Sequence, residues 1–234
     1  MKKILLITGA SKGIGLATAQ LFAQQGYQVV NISRSLCPLK DSTTLQIDLA
    51  NPEWEGTHTS QIIAALEGAD IITLIHNAAT MTKDTVSDLA SDVLRRVLEL
   101  NVVASSVLNR IVLPLMKQGS SILYVSSTLG TKAVANTHAY VVSKHAVIGQ
   151  MRATCQDLVG KGVHTAAVCP GFTETEMLAE HLGANPKMRE QINAKVVLGR
   201  LVQPNEIANT LWFCAQNAVI NGAILDANLG QVES

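Results

Sequence analysis

Thr8-Gly9-Ala10-Ser11-Lys12-Gly13-Ile14-Gly15 follows directly on the apolar run Lys3–Thr8 and opens a helical pattern, Ile14–Gln25. Glycines at a strand-to-helix turn let the backbone bend sharply and come close to a pyrophosphate. The helix start adds free N–H groups and a positive dipole end. A glycine trio alone is equally a plain turn. The strand before it and the helix after it make this one a phosphate-binding turn at the head of an α/β domain.

The same alternation continues along the chain. Further strands are predicted at Gln28–Ser33, Thr44–Asp48, Ile71–His76, Ser121–Ser126, Val163–Cys169 and Ala223–Ala227. Most are continuously apolar, as in parallel strands buried on both faces. Helical patterns fall at Thr59–Leu66, Ser91–Met116, Ala139–Val159 and Pro204–Ala215, the last opened by Pro204 with Asn205 and Glu206 behind it. Alternating strands and helices imply right-handed crossovers and a doubly wound, seven-stranded parallel sheet with helices on both faces. Without repeats or linkers, residues 1–234 are read as one domain. The segment 173–200, with Gly183, Pro186 and Gly199, fits no strand. It is expected to be a lid at the carboxyl edge of the sheet, with an ordinary surface insertion as the alternative.

Composition excludes several classes. A chain of 234 residues buries roughly 70% of its unfolded surface and needs no disulfide staples. Hydrophobic residues make up 47% and charged ones only 15%, against a usual ~25%, so part of the surface is expected to be covered by another copy. Eighteen basic and eighteen acidic residues leave no net charge, so no nucleic-acid partner is expected. No run is read as reaching the roughly 18 apolar residues of a membrane span, and Ile4–Ile7 is too short for a signal peptide. Cys37, Cys155, Cys169 and Cys214 lack metal-ligand spacing. They read as reduced thiols of a cytoplasmic protein without a metal.

The spacing Thr-Gly-x3-Gly-x-Gly resembles the short-chain dehydrogenase/reductase family, in its classical branch, and the resemblance extends along essentially the whole chain. Asp48-Leu49 stands where the family's acidic residue meets the adenine, and Asn77-Ala78-Ala79 resembles its Asn-Ala-Gly. Asn101 matches its helical asparagine, and Ser127, Tyr140 and Lys144 match its catalytic serine and Tyr-x3-Lys. Pro170-Gly171 with Thr175 resembles its Pro-Gly-x3-Thr. Ala79 in place of glycine, the bulky Val141 and Val142, and Asn228-Leu229-Gly230 in place of Asp-Gly-Gly depart from the pattern. The resemblance implies a Rossmann-type sheet and a nicotinamide cofactor held by Gly9, Ser11, Lys12, Gly13, Ile14, Gly15, Arg34, Asp48, Leu49, Asn77, Ala78, Tyr140, Lys144, Pro170, Gly171, Thr173 and Thr175.

Asn31-Ile32-Ser33-Arg34 brings no carboxylate to the end of the second strand, where an NAD-binding protein usually holds the ribose hydroxyls. Two cations, Lys12 and Arg34, favour a 2′-phosphate and hence NADPH. Tyr140 and Lys144 share a helix face, with Cβ atoms about 5–6 Å apart. An ammonium about 5 Å from the phenol favours the phenolate by roughly 3 kcal/mol, an expected pull towards pKa 7–8. By resemblance, Tyr140 exchanges a proton with the substrate oxygen, Ser127 hydrogen-bonds that oxygen, and Asn101 anchors a water that relays protons to Lys144.

The expected activity is carbonyl reduction by NADPH, or the reverse alcohol oxidation, by a homodimer or homotetramer joined along the two long helices. Its substrate would be a 3-oxoacyl thioester or a small ketone or diketone. Leu129, Val134, Phe172, Met177 and Leu178 are the candidate apolar pocket, His138 a pocket or loop residue, and His76 a packing residue. The competing class is a dinucleotide-binding sensor or scaffold, which the intact Asn-Ser-Tyr-Lys set disfavours. A serine hydrolase is disfavoured because no G-x-S-x-G elbow is present.

Overall fold

The first strand, β1 (Lys3–Thr8), is apolar throughout because both of its faces are covered. Ile4 and Leu6 point into one hydrophobic cluster, Leu5 and Ile7 into another. The computed structural model describes residues 1–182 and 186–231. After β1 come α1 (Gly13–Gln24), β2 (Gln28–Ser33), β3 (Thr43–Gln46), α2 (Trp54–Ala65) and β4 (Ile71–His76). A long helical run follows, made of α3 (Ser91–Leu98), a π-helical turn (Glu99–Val103) and α4 (Ala104–Val112). The remainder is β5 (Ser121–Val125), α5 (His138–Asp157), β6 (His164–Pro170), α6 (Glu176–Leu182), α7 (Pro186–Asn193), α8 (Pro204–Gln216) and β7 (Ile224–Ala227).

The seven strands form one sheet in the order β3-β2-β1-β4-β5-β6-β7, with every pair parallel. This is the expected Rossmann-type, doubly wound sheet. On one face Ile62 of α2, Leu108 and Val112 of α4 and Val147 and Met151 of α5 pack against Ile4 and Leu6. On the other, Ala19 and Phe22 of α1 and Ile207 and Leu211 of α8 cover Leu5 and Ile7. The order reverses at β1, between β2 and β4. Chains leaving the carboxyl ends there diverge to opposite faces and leave a crevice.

Four details depart from expectation. Helix α2 begins at Trp54, ahead of the predicted Thr59, because the buried Trp54 indole anchors its first turn in the core. The run from Ser91 is not a uniform helix, since the π turn interrupts it and buries Asn101. By length and composition alone, Ser91–Leu115 is also long and apolar enough to cross a membrane, which corrects the expectation that no run is. Its apolar side chains are used otherwise here: Val97, Ala104, Leu108, Ile111 and Val112 are all buried, four of them in the core beside α2 and α5. Within 173–200, α6 and α7 were not foreseen, and the predicted lid positions Gly183, Ala184 and Asn185 lie outside the described residues.

Candidate active site

The glycine turn is shaped by close approach. Gly9 and Gly13 have φ of +77° and +57°, in the region that favours glycine. A Cβ on Gly15 would lie 2.2 Å from Gly9 O and 2.6 Å from Asn77 Nδ2, so only a hydrogen fits between α1 and the turn. The turn is pinned by Gly9 N donating to Ile32 O at 2.9 Å and Ala10 N to Asn31 Oδ1 at 2.8 Å. Asn77 fastens it to β4, its Nδ2 donating to Thr8 O at 2.9 Å and Gly9 O at 3.1 Å. The Lys12 side chain makes no cap on α1, and no acidic residue stands in the first turn. The helix start therefore keeps its N–H groups and dipole for an anion.

This turn forms one wall of a cleft of ≈690 Å³ along the carboxyl ends of the strands. Every residue expected to hold the cofactor lines it, from Gly9 to Thr175, and so do Leu129, Val134, Phe172, Met177 and Leu178. At the β2 end it is lined by Ser33, Arg34, Ser35 and Leu36, and near β3 by Asp48 and Leu49. Asp48 Oδ1 accepts from Ala50 N at 3.0 Å, which turns the chain into the following loop. Lys12 Nζ lies 3.5 Å from Glu180 Oε1 on α6, with both side chains exposed.

Ser127 and Tyr140 face the same cleft. Ser127 Oγ accepts from Leu129 N at 3.1 Å, fixing the short turn that follows β5. Ser126 points elsewhere, its Oγ donating to Lys144 O at 3.1 Å, as alternation along a strand requires. Tyr140 and Lys144 are both buried on α5, with Lys144 Nζ 5.5 Å from the centre of the tyrosine ring. Lys144 Nζ donates to Val125 O at 2.8 Å.

Burial, rather than mutual attraction, dominates the ionisation of this pair. It pushes the Tyr140 phenol up to about 12, and a hydrogen bond with the Ser127 side chain pulls only part of the way back. It pulls the Lys144 ammonium down to about 8. The expected pull of Tyr140 towards pKa 7–8 is therefore not present. Desolvation penalises the phenolate, and the Ser127 hydrogen bond, not Lys144, is what offsets part of it.

Asn101 does not line the cleft. Its side chain is engaged elsewhere: Oδ1 accepts from Thr80 N at 2.9 Å, and Nδ2 donates to Thr80 O at 3.0 Å and Ser143 Oγ at 2.9 Å. It clasps the loop after β4 to the helix of Tyr140 and Lys144. His138 is likewise absent from the lining and opens α5 instead.

Sequence reading missed Asp84. This buried carboxylate accepts from Ala139 N through Oδ1 at 2.8 Å and from Thr82 Oγ1 through Oδ2 at 2.5 Å. Its backbone O accepts from His138 N at 3.3 Å. Thr137, at the helix start, makes no side-chain cap, so Asp84 caps α5 from 55 residues away. No local pattern could have announced it.

The family described as Enoyl-(Acyl carrier protein) reductase matches residues 9–231. The chain belongs to the short-chain dehydrogenase/reductase family. It is an NAD(P)-dependent enzyme of that family, with oxidoreductase relatives. It is 30% identical to 3-oxoacyl-[acyl-carrier-protein] reductase FabG of Vibrio cholerae, over 97% of this chain and 96% of the relative. It is also 30% identical to Protein FixR of Bradyrhizobium diazoefficiens, over 98% of this chain and 86% of that protein. Among solved structures, 4-hydroxyisoleucine dehydrogenase complexed with NADH superimposes with a TM-score of 0.88 at 25% identity, covering 98% of each chain.

Proposed function

We propose that this short-chain dehydrogenase/reductase reduces a ketone or aldehyde with NADPH, Tyr140 serving as the proton donor. The observation that carries the reading is the grouping of Ser127, Tyr140 and Lys144 in the same cleft as the glycine turn. The hydrogen-only space at Gly15 and the uncapped start of α1 suit a pyrophosphate there. Gly9, Ser11, Gly13 and Ile14 would hold it, Asp48 and Leu49 the adenine side, and Asn77, Ala78, Pro170, Gly171, Thr173 and Thr175 the nicotinamide side. The bound dinucleotide supplies a hydride to the carbonyl carbon.

The protein's residues then manage the oxygen. Ser127 donates a hydrogen bond to it and steadies the charge that develops. A phenol at about 12 keeps its proton at neutral pH, so Tyr140 stands in the donor form, although well above the pKa at which proton transfer is most efficient. Tyr140 gives that proton from its Oη to the oxygen, and the Lys144 ammonium favours the phenolate left behind. The Asn101 clasp holds α5 in register with the loop after β4. Because burial pulls Lys144 down to about 8, kcat/KM for reduction should fall as pH rises through that value. A profile flat up to the ordinary lysine range would contradict this role of the ammonium.

Lys12 and Arg34, with no carboxylate at the end of β2, support NADPH over NADH. Initial rates with both cofactors test this, in the native protein and in Arg34→Ala. We expect NADPH to be preferred, and the substitution to raise its KM about tenfold while sparing NADH, the scale of one charge-assisted hydrogen bond. A native preference for NADH would overturn the reading.

The apolar lining by Leu129, Val134, Phe172, Met177 and Leu178 supports a 3-oxoacyl thioester, the substrate class in the name of the Vibrio cholerae relative. A small ketone or diketone is the second candidate. The segment 173–200 would act as the lid, its α6 tied to the glycine turn through Lys12 and Glu180. Exposed Val103 and Val142 lie on the long helices through which we expect two copies to associate. All four cysteines are free, which supports a cytoplasmic location.

A further inference from the structure

Lys144 lines a second, much smaller cavity of ≈10 Å³, together with Thr8, His76, Asn101, Ser105 and Tyr124. That space is about the volume a single water needs, and the wall is polar enough to hold one. His76, the last residue of β4, is buried at 8% exposure. Its Nε2 lies 2.7 Å from Asn109 Oδ1, and Asn109 Nδ2 donates to Tyr124 Oη at 2.6 Å. Tyr124 Oη in turn meets Thr154 Oγ1 at 2.9 Å. An amide oxygen can only accept, so Nε2 carries the ring proton and Nδ1 is a bare acceptor. Nδ1 is buried and has no hydrogen-bond partner among the described residues.

We propose that the water which the family resemblance gives to Lys144 sits in this cavity and donates to His76 Nδ1, so that His76, and not the engaged Asn101 side chain, is a positioning residue for Lys144. Nζ spends one N–H on Val125 O, which leaves two for other partners. The chain His76–Asn109–Tyr124 acts as a tautomer lock. It is not a proton wire, because the Asn109 amide interrupts the exchangeable groups.

Beside Val125 O, this water is the further polar partner of the ammonium. Lys144 faces the Tyr140 phenol on its own helix and the Cys169 thiol on β6, both kept neutral by burial. His76 faces the Tyr124 ring at 4.9 Å and the Asn109 amide, and burial keeps its imidazole neutral, pulled down to about 4. No carboxylate contributes to the ionisation of either group.

Two substitutions separate the roles of the ring nitrogens. In His76→Asn the amide end stands near the place of Nδ1 and can hold the water, but the bond to Asn109 is lost. In His76→Gln the amide reaches the place of Nε2 and keeps that bond, with no counterpart of Nδ1. Titration of Lys144, followed by the 13C shift of its ε-carbon in the full chain, reads the effect without turnover. We expect the Gln variant to titrate about one pH unit lower, the scale of one hydrogen bond to a charged group, and the Asn variant to match the native protein. The opposite order, or no shift in either, would overturn the proposal.

Nitrogen-15 spectroscopy of the native imidazole stands apart from any variant's folding, with the Nε2–H tautomer expected and an Nδ1–H tautomer contradicting it. The proposal rests on the reductase reading only for its kinetic consequence, a parallel shift in the alkaline limb of kcat/KM. A failure of that reading would abolish the limb and leave the Lys144 titration and the tautomer to decide the role of His76.

Discussion

Tyr140→Phe lowers kcat for carbonyl reduction by about 10²- to 10⁴-fold, the usual contribution of a positioned general acid. The substitution removes one oxygen from a ring held by burial on α5, and leaves the glycine turn and Lys144 untouched. Dinucleotide affinity, measured by fluorescence of the bound reduced cofactor, should therefore stay within a factor of a few. Loss of turnover with binding retained assigns the proton transfer to Tyr140. Residual activity within about tenfold of native would show that another donor serves the oxygen, and Ser127 would be the first to examine.

Gly15→Ala is the second large effect. Its Cβ would fall 2.2 Å from the carbonyl oxygen of Gly9 and 2.8 Å from the carbonyl carbon, both backbone atoms that cannot swing aside. Relief requires the turn and the start of α1 to move apart, the strain of an overpacked interior, roughly 1–3 kcal/mol. The same displacement spoils the N–H groups aimed at the pyrophosphate, so the Kd for dinucleotide should rise by about 5- to 150-fold. Gly149→Ala is the internal control. Nothing lies within 4 Å of that position on α5, and alanine there should leave binding unchanged and stabilise the helix by up to ~1 kcal/mol. Equal tolerance at both positions would contradict the coupling of this close approach between α1 and the glycine turn to dinucleotide binding.

The strands were legible because burial on both faces leaves a continuous apolar run, and the run itself sets the strand. Their ends were less so: β5 stops at Val125, and β6 runs on through Pro170. The π turn could not be read from periodicity. It exists because Asn101 reaches Thr80 and Ser143, contacts made in space and not along the helix. Helices α6 and α7 were hidden by the polar, glycine- and proline-broken composition of 173–200.

The site divided in the same way. Residues that act through their own chemistry, Ser127, Tyr140 and Lys144, stood out by type and spacing. Those that act by holding others, Asp84 at the start of α5 and His76 beside Lys144, did not. Their partners lie 55 and 33 residues away in the chain, at Ala139 and Asn109. The ionisation of Tyr140 was misjudged for a related reason. Spacing along a helix fixes the distance to Lys144, whereas burial is set by the sheet, the loop after β5 and the rest of the fold.

The most direct measurement of the central claim uses NADPH carrying deuterium at the transferable position of the nicotinamide. The protein is incubated with a 3-oxoacyl thioester, a small diketone and an aldehyde, and the products are analysed by mass spectrometry. The account predicts an alcohol with one deuterium on the former carbonyl carbon, formed by the native protein and lost in Tyr140→Phe. A protein that binds NADPH yet yields no labelled alcohol from any carbonyl, and no labelled cofactor from the corresponding deuterated alcohols, would contradict it.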